Sequence, residues 1–156
     1  MSTSDTTGLV CDLAGLADHI GEQLGHTPWR EMTQERVNLF ADATDDHQFI
    51  HVDPEKAQAT PFGGTIAHGF LTLSLVAAML GDLITVTDVK MGLNYGLDKV
   101  RFPAPLPVGS RFRGGVQLVS VDDVPGGKQA KAQVTIEVQG QEKPAMVAEC
   151  LVRFYG

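Results

Sequence analysis

Asp46 and His51 stand five residues apart in Phe40-Ala-Asp-Ala-Thr-Asp-Asp-His-Gln-Phe-Ile-His-Val-Asp-Pro54, the stretch of this chain richest in groups that move protons. A carboxylate and an imidazole brought onto one water can together take a proton from it and return one elsewhere. His68 and Gly69 follow in Thr65-Ile-Ala-His-Gly-Phe70, which opens a long apolar run. A proton-handling pair followed by a helix start is a candidate acid/base site with its own anion-stabilising end. Taken alone, the pair also has an ordinary reading, with Asp46 capping a turn and His51 a satisfied loop histidine. His47 and His51 have an i, i+4 spacing, with Asp45, Asp46 and Asp53 nearby, which on a helix can hold zinc. A loop is expected here and no cysteine is near, so no metal is expected. Phosphate-loop and Gly-x-Ser-x-Gly signatures are absent.

The pair has to be held by what flanks it. Leu13, Leu16, Ala17, Ile20 and Leu24 recur at helical spacing, ended by Gly25. Trp29–Met32 reads as a short strand. Thr33 is a fitting N-cap with Glu35 in the first turn, and Val37, Phe40, Ala41 and Thr44 give that helix one apolar face. The helix should fail near Asp45, leaving Asp46 to His51 on a loop or turn, and Pro54 should open another short helix. Thr60-Pro-Phe-Gly-Gly64 is a breaker-rich connection. Thr65 is then expected to cap a helix over Ile66–Leu80, with Gly81 at its end. That helix is apolar on nearly every side, so it should be buried all round and wrapped by a sheet.

Strands dominate the remainder. Ile84–Val86, Val89–Tyr95 and Lys99–Phe102 are candidates, the last stopped by Pro103, Pro105 and Pro107. Arg111–Val121 leads into the turn Asp122–Gly127. Ala132, Val134, Ile136 and Val138 alternate with polar residues, as in a half-buried strand, and a final strand runs from Ala145 to Tyr155. The fold class is α+β, a mostly antiparallel sheet around one buried helix.

The chain has 156 residues, 43% of them hydrophobic, and a net charge of −7 from 12 basic and 19 acidic side chains. Its length fits one domain with a real core, over residues 9–156, behind a short mobile tail at residues 1–8. The acidic balance argues against nucleic acid as a partner. Residues 1–56 hold 11 Asp/Glu and 3 Lys/Arg, so an anionic ligand would meet the later part, where Lys99, Arg101, Arg111 and Arg113 cluster. Cys11 and Cys150 have no metal or redox spacing, which suits a reduced cytoplasmic protein. Ile66–Leu80 is too short and too interrupted for a membrane span.

Thr44-Asp-Asp46, Ile50-His51-Val-Asp53, Ile66-Ala-His68-Gly69-Phe70, Asn94-Tyr-Gly-Leu-Asp-Lys-Val-Arg-Phe102 and Pro105-Leu-Pro-Val-Gly-Ser-Arg111, in this order and spacing, resemble the MaoC-like, (R)-specific enoyl-CoA hydratases of the hot-dog fold. The nodulation-protein-N-like single-domain subgroup is the nearest in pattern. Where that family commonly has Gly, Asn and Pro around the catalytic Asp, this chain has Asp45, Gln48 and Phe49. The resemblance implies hydration of a 2-trans-enoyl-CoA to a (R)-3-hydroxyacyl-CoA without metal or other cofactor. Asp46 and His51 would hold one water and add H and OH to the same face, while the Gly69 N–H would meet the thioester oxygen. Gln48, His68, Asn94, Tyr95, Gly96 and Arg101 are the expected substrate-side residues, His68 shaping or supporting the site rather than reacting. A homodimer with its acyl-CoA tunnel along the subunit interface is implied as well. A hot-dog thioesterase and a non-catalytic acyl-CoA-binding subunit are the alternatives.

Overall fold

The computed structural model describes residues 8–156, so the expected N-terminal tail lies outside the described residues except for Gly8. The main sheet is antiparallel and has the order β2-β6-β7-β8-β5, with β3 also paired to β6. Its strands are β2 (Gln23–His26), β3 (Arg30–Glu31), β5 (Met91–Arg101), β6 (Arg111–Val124), β7 (Gly127–Val138) and β8 (Met146–Tyr155). Two short strands, β1 (Leu9–Cys11) and β4 (Ile84–Val86), pair in parallel apart from it.

The long strands follow from alternation. In β7, Ala130, Ala132, Val134, Ile136 and Val138 are all buried, while the residues between them are half-buried. A period of two places every second side chain on one face. That face packs under helices α4 (Gly69–Ser74) and α5 (Val76–Leu83), which supply Leu71, Val76, Met79, Leu80 and Leu83 to the same core. Met79 presses onto β6 at Gly114, where a Cβ would collide with its sulfur. Pro125-Gly126, with Gly126 at φ +83°, makes the tight turn between β6 and β7. Proline at the second position and a left-handed glycine at the third define a type II turn.

Several elements differ from expectation. Leu13–Leu24 is not a helix: one 3-10 turn (Leu16–His19) gives way to β2, and Ile20 is 46% exposed. Glycines at 15, 21 and 25 interrupt the segment, and the Gly21 N–H donates across to the Leu118 carbonyl. The central helix begins at Gly69 rather than Ile66, because residues 65–67 run extended. There the Ile66 N–H donates to the Ile50 carbonyl and the Ala67 N–H to the Leu106 carbonyl. The helix also breaks at Leu75 and continues past Gly81 to Leu83. Thr72 and Ser74 return their hydroxyls to the carbonyls of His68 and Phe70, a back-bonding that disturbs a helical ladder. Nor is it buried all round, since Phe70 (72% exposed), Ser74, Ala77, Ala78 and Gly81 form an open face. The two strands expected between residues 89 and 102 are one strand, β5, with register shifts at Asn94/Gly96 and Leu97/Val100.

The expected basic cluster divides. Lys99 and Arg101 lie on β5, separated from Arg111 and Arg113 on β6 by β7 and β8. Arg113 is spent on Glu137 (3.0 Å) and on the face of Trp29 (4.6 Å to the ring centre).

Candidate active site

Helix α1 (Gln34–Thr44) starts on Thr33, whose hydroxyl accepts from the Arg36 N–H, and ends at Asp45, a left-handed residue with φ +63°. That reversal turns the chain back on itself, and Asp46 follows on an exposed bend where its carboxylate accepts the Gln48 N–H (3.3 Å). His51 lies in a four-residue helix, α2 (Phe49–Val52), where a loop was expected. Asp53 then caps α3 (Pro54–Ala57) by accepting the Lys56 N–H, as Pro54 foretells.

His51 is only 7% exposed, and its Nδ1 lies 2.7 Å from the Ile66 carbonyl. A carbonyl can only accept, so Nδ1 carries the proton and Nε2 keeps the lone pair. Burial pushes the His51 pKa below its ordinary 6.5, and neighbouring His68 pushes the same way against the Ile66 bond and Asp46. The ring is therefore a neutral base at neutral pH. Gln34, which no sequence motif marks, braces this arrangement: its amide donates to the His51 carbonyl (2.7 Å) and accepts the Thr65 hydroxyl (2.7 Å). A glutamine in the first turn of an amphipathic helix reads as a solvated residue, which hides its role. Thr65 thus serves Gln34 instead of capping a helix.

His68 is buried (2% exposed) and stacks on His51, with ring centres 3.9 Å apart and planes 25° from parallel. Its Nε2–H donates to the Asp46 carbonyl (3.0 Å). One nitrogen or oxygen each from Asp46, His51 and His68 lies within 4.8 Å of the others. Stacked rings carry their in-plane lone pairs side by side rather than toward one point, so the trio suits proton transfer better than a metal ion. His47 takes no part in it; that ring pairs with Asp42 at the surface (2.8 Å), which raises its pKa.

Gly69 follows His68 as the first residue of α4, so its N–H has no acceptor within the helix. Its φ is not left-handed; what favours glycine is Phe102, whose ring would lie 3.2 Å from a Cβ and would have to give way by a few tenths of an ångström. Gly69 and Phe102 share a crevice of about 370 Å³ with Phe62, Ile66 and Pro103. Asn94, Tyr95 and Gly96 lie elsewhere, on a cleft of about 270 Å³ between α4–α5 and β5–β8. Tyr95 is the bulged residue there, its ring under Arg153 (3.5 Å). Gln48 is exposed at the head of α2 with no side-chain cap bond, and exposed Arg101 donates to the Val100 carbonyl. The structure brings Asp46, His51 and His68 together beside Gly69 and leaves the other expected residues on separate walls.

A family model described as the MaoC like domain matches residues 16–141. The chain belongs to the MaoC-like dehydratase family. Within it, the chain is 57% identical over 146 residues to 3-hydroxyacyl-thioester dehydratase Z of Mycobacterium tuberculosis, covering 93% of this chain and 95% of that one. It is 48% identical over 140 residues to nodulation protein N of Rhizobium leguminosarum bv. viciae, covering 87% and 86%. Among solved structures, the (R)-hydratase from A. caviae involved in PHA biosynthesis superposes with a TM-score of 0.71 at 25% identity, over 85% of this chain and 94% of that one. The antiparallel sheet with its central helix is accordingly the hot-dog fold of this dehydratase family.

Proposed function

We propose that this MaoC-like dehydratase catalyses the reversible, (R)-specific hydration of 2-trans-enoyl-CoA to (R)-3-hydroxyacyl-CoA. The observation that supports this reading is the gathering of Asp46 with a His51 whose Nδ1–H is fixed on Ile66, which leaves Nε2 as the free base, a ring nitrogen and a carboxylate oxygen of the two lying within 4.8 Å. Asp46 and Nε2 hold one water. Nε2 takes a proton from it while the hydroxide adds to C3, and the displaced electron pair moves to the thioester oxygen. The Gly69 N–H donates to that oxygen as it becomes enolate-like; one such donor is typically worth about 3 kcal/mol in the transition state. The imidazolium, stabilised by the Asp46 carboxylate, then returns its proton to C2 and restores the base. Because one water and one pair serve both carbons, H and OH arrive on the same face. With the helix broken at Leu75, the Gly69 N–H acts as a local donor rather than as the end of a long dipole.

The family resemblance supports a homodimer, and the absence of any metal or redox spacing at Cys11 and Cys150 suits a cytoplasmic protein. No helix among the described residues is long and apolar enough to cross a membrane. Crotonyl-CoA supplied to the purified chain should be consumed without release of free thiol, giving the (R)-alcohol on chiral analysis. Release of CoA thiol, detected with a thiol-reactive dye, would assign a thioesterase instead. Inactivity on enoyl-thioesters of every chain length would sink the reading.

A further inference from the structure

We propose that His68 is a positioning residue, whose ring ties the Asp46 backbone, the His51 imidazole and the start of α4 into one frame. The inference rests on the hydration reading above.

Three contacts converge on this side chain. Its Nε2–H holds the Asp46 carbonyl at 3.0 Å, on a turn where the only other hydrogen bond made by Asp46 among the described residues is the weak one from Gln48. Its face lies on His51 at 3.9 Å, and Phe40 closes against it at 4.8 Å, so the base ring has one flat wall against which to rest. Its backbone is the N-cap position of α4, directly before Gly69, and its carbonyl accepts both the Thr72 N–H and the Thr72 hydroxyl. A shift of His68 therefore moves the carboxylate, the base and the oxyanion donor together. Misplacement of reacting groups by about 1 Å is enough to cost on the order of 100-fold in rate.

The fourth observation concerns cost. With Nε2 donating, Nδ1 is an acceptor, and it is buried without a partner. An unpartnered buried polar atom opposes folding. A phenylalanine would fill the same space without that penalty, so packing alone does not account for an imidazole here. What the imidazole adds over a plain ring is the N–H that holds Asp46.

Two substitutions separate the contacts. His68→Phe keeps a flat ring against His51 and Phe40 but removes the donor. His68→Gln keeps an N–H of similar reach but removes the ring. Both should lower kcat for crotonyl-CoA by about tenfold or more with KM little changed. His68→Phe should nevertheless unfold at an equal or higher temperature than the wild type, because the orphaned nitrogen is gone. The titratable groups gathered with His68 are Asp46 and His51. Nitrogen-15 NMR of the His51 ring gives a readout independent of turnover: burial is the main cause that holds its titration midpoint down, His68 adds to it by charge repulsion, and removing His68 should let the midpoint rise in both variants. Wild-type kcat in His68→Phe, an unmoved His51 midpoint in both variants, or loss of the fold in both would each overturn the proposal. A wild-type chain that fails to hydrate any enoyl-thioester would instead overturn the hydration reading, and the NMR arm would still decide the positioning.

Discussion

In the proposed reaction Asp46 and His51 divide the work by environment: the carboxylate is exposed to solvent, while burial holds the His51 imidazole neutral. Asp46→Asn and His51→Gln should each reduce kcat by roughly 10²- to 10⁴-fold, the usual range for a general acid–base group, with circular dichroism unchanged for the exposed Asp46 variant. The pH dependence follows from the lowered His51 pKa. Activity needs neutral Nε2, so kcat/KM should rise with pH along a limb centred below 6.5 and removed by His51→Gln. Stability carries the same sign. In the unfolded chain His51 takes a proton near 6.5, but in the folded protein only at lower pH. Acidification between those points favours unfolding, and urea titrations should show that part of the slope vanish in His51→Gln. Asp46 and His51 stood out as candidates by residue type and spacing, but only the family resemblance set them above a turn cap and a loop histidine. The companionship of His68 was not, because it depends on residues 65–67 running extended between Ile50 and Leu106, a pairing that no local pattern encodes.

At the level of elements, local chemistry was legible wherever it was self-contained. Thr33 caps α1, Pro54 opens α3 and the alternation in β7 makes a strand, all as expected. It failed where distant partners overruled it, as at Leu13–Leu24 and in the Ile66–Leu80 run. The end of α1 is a place where this chain departs from its family pattern at a cost. Asp45 occupies a left-handed conformation that glycine adopts without strain. Asp45→Gly should therefore stabilise the protein by on the order of 1 kcal/mol, raising Tm by roughly 2–4 °C. Scanning calorimetry would measure it, and a lowered Tm would show that the Asp45 side chain makes compensating bonds. At the start of α4 the constraint is spatial. Gly69→Ala would press its methyl into Phe102 and should lower kcat more than it lowers Tm. Adding Phe102→Ala should recover part of that loss, whereas two losses that simply multiply would mean the residues act separately.

For the whole molecule, the telling surface is β5. Each residue from Met91 to Lys99 is exposed, including Met91, Leu93, Tyr95 and Leu97 at 45–54%, and the strand lies at the rim of the sheet. A long apolar strand with a free edge invites pairing unless another chain covers it. Sedimentation at micromolar concentration should give a dimer mass, and Leu93→Lys should shift it toward the monomer with loss of hydratase activity. A wild-type monomer that is fully active would refute this arrangement. The family resemblance implied a homodimer without naming the residues at which two copies would meet, since strand exposure is a property of the finished sheet.

The opposite rim of that sheet is built differently. It is made of β2, four residues long with an irregular register, and β3, two residues long. One rim can therefore join a neighbour and the other offers almost nothing to hold. A subunit with a single adhesive rim can use it up only by meeting its own kind face to face, which satisfies both partners at once. Growth must stop at that point. In the proposed homodimer, the same brevity that makes β2 and β3 look like poor strands would act as a terminator, keeping a protein with so exposed a β5 from building ribbons without end.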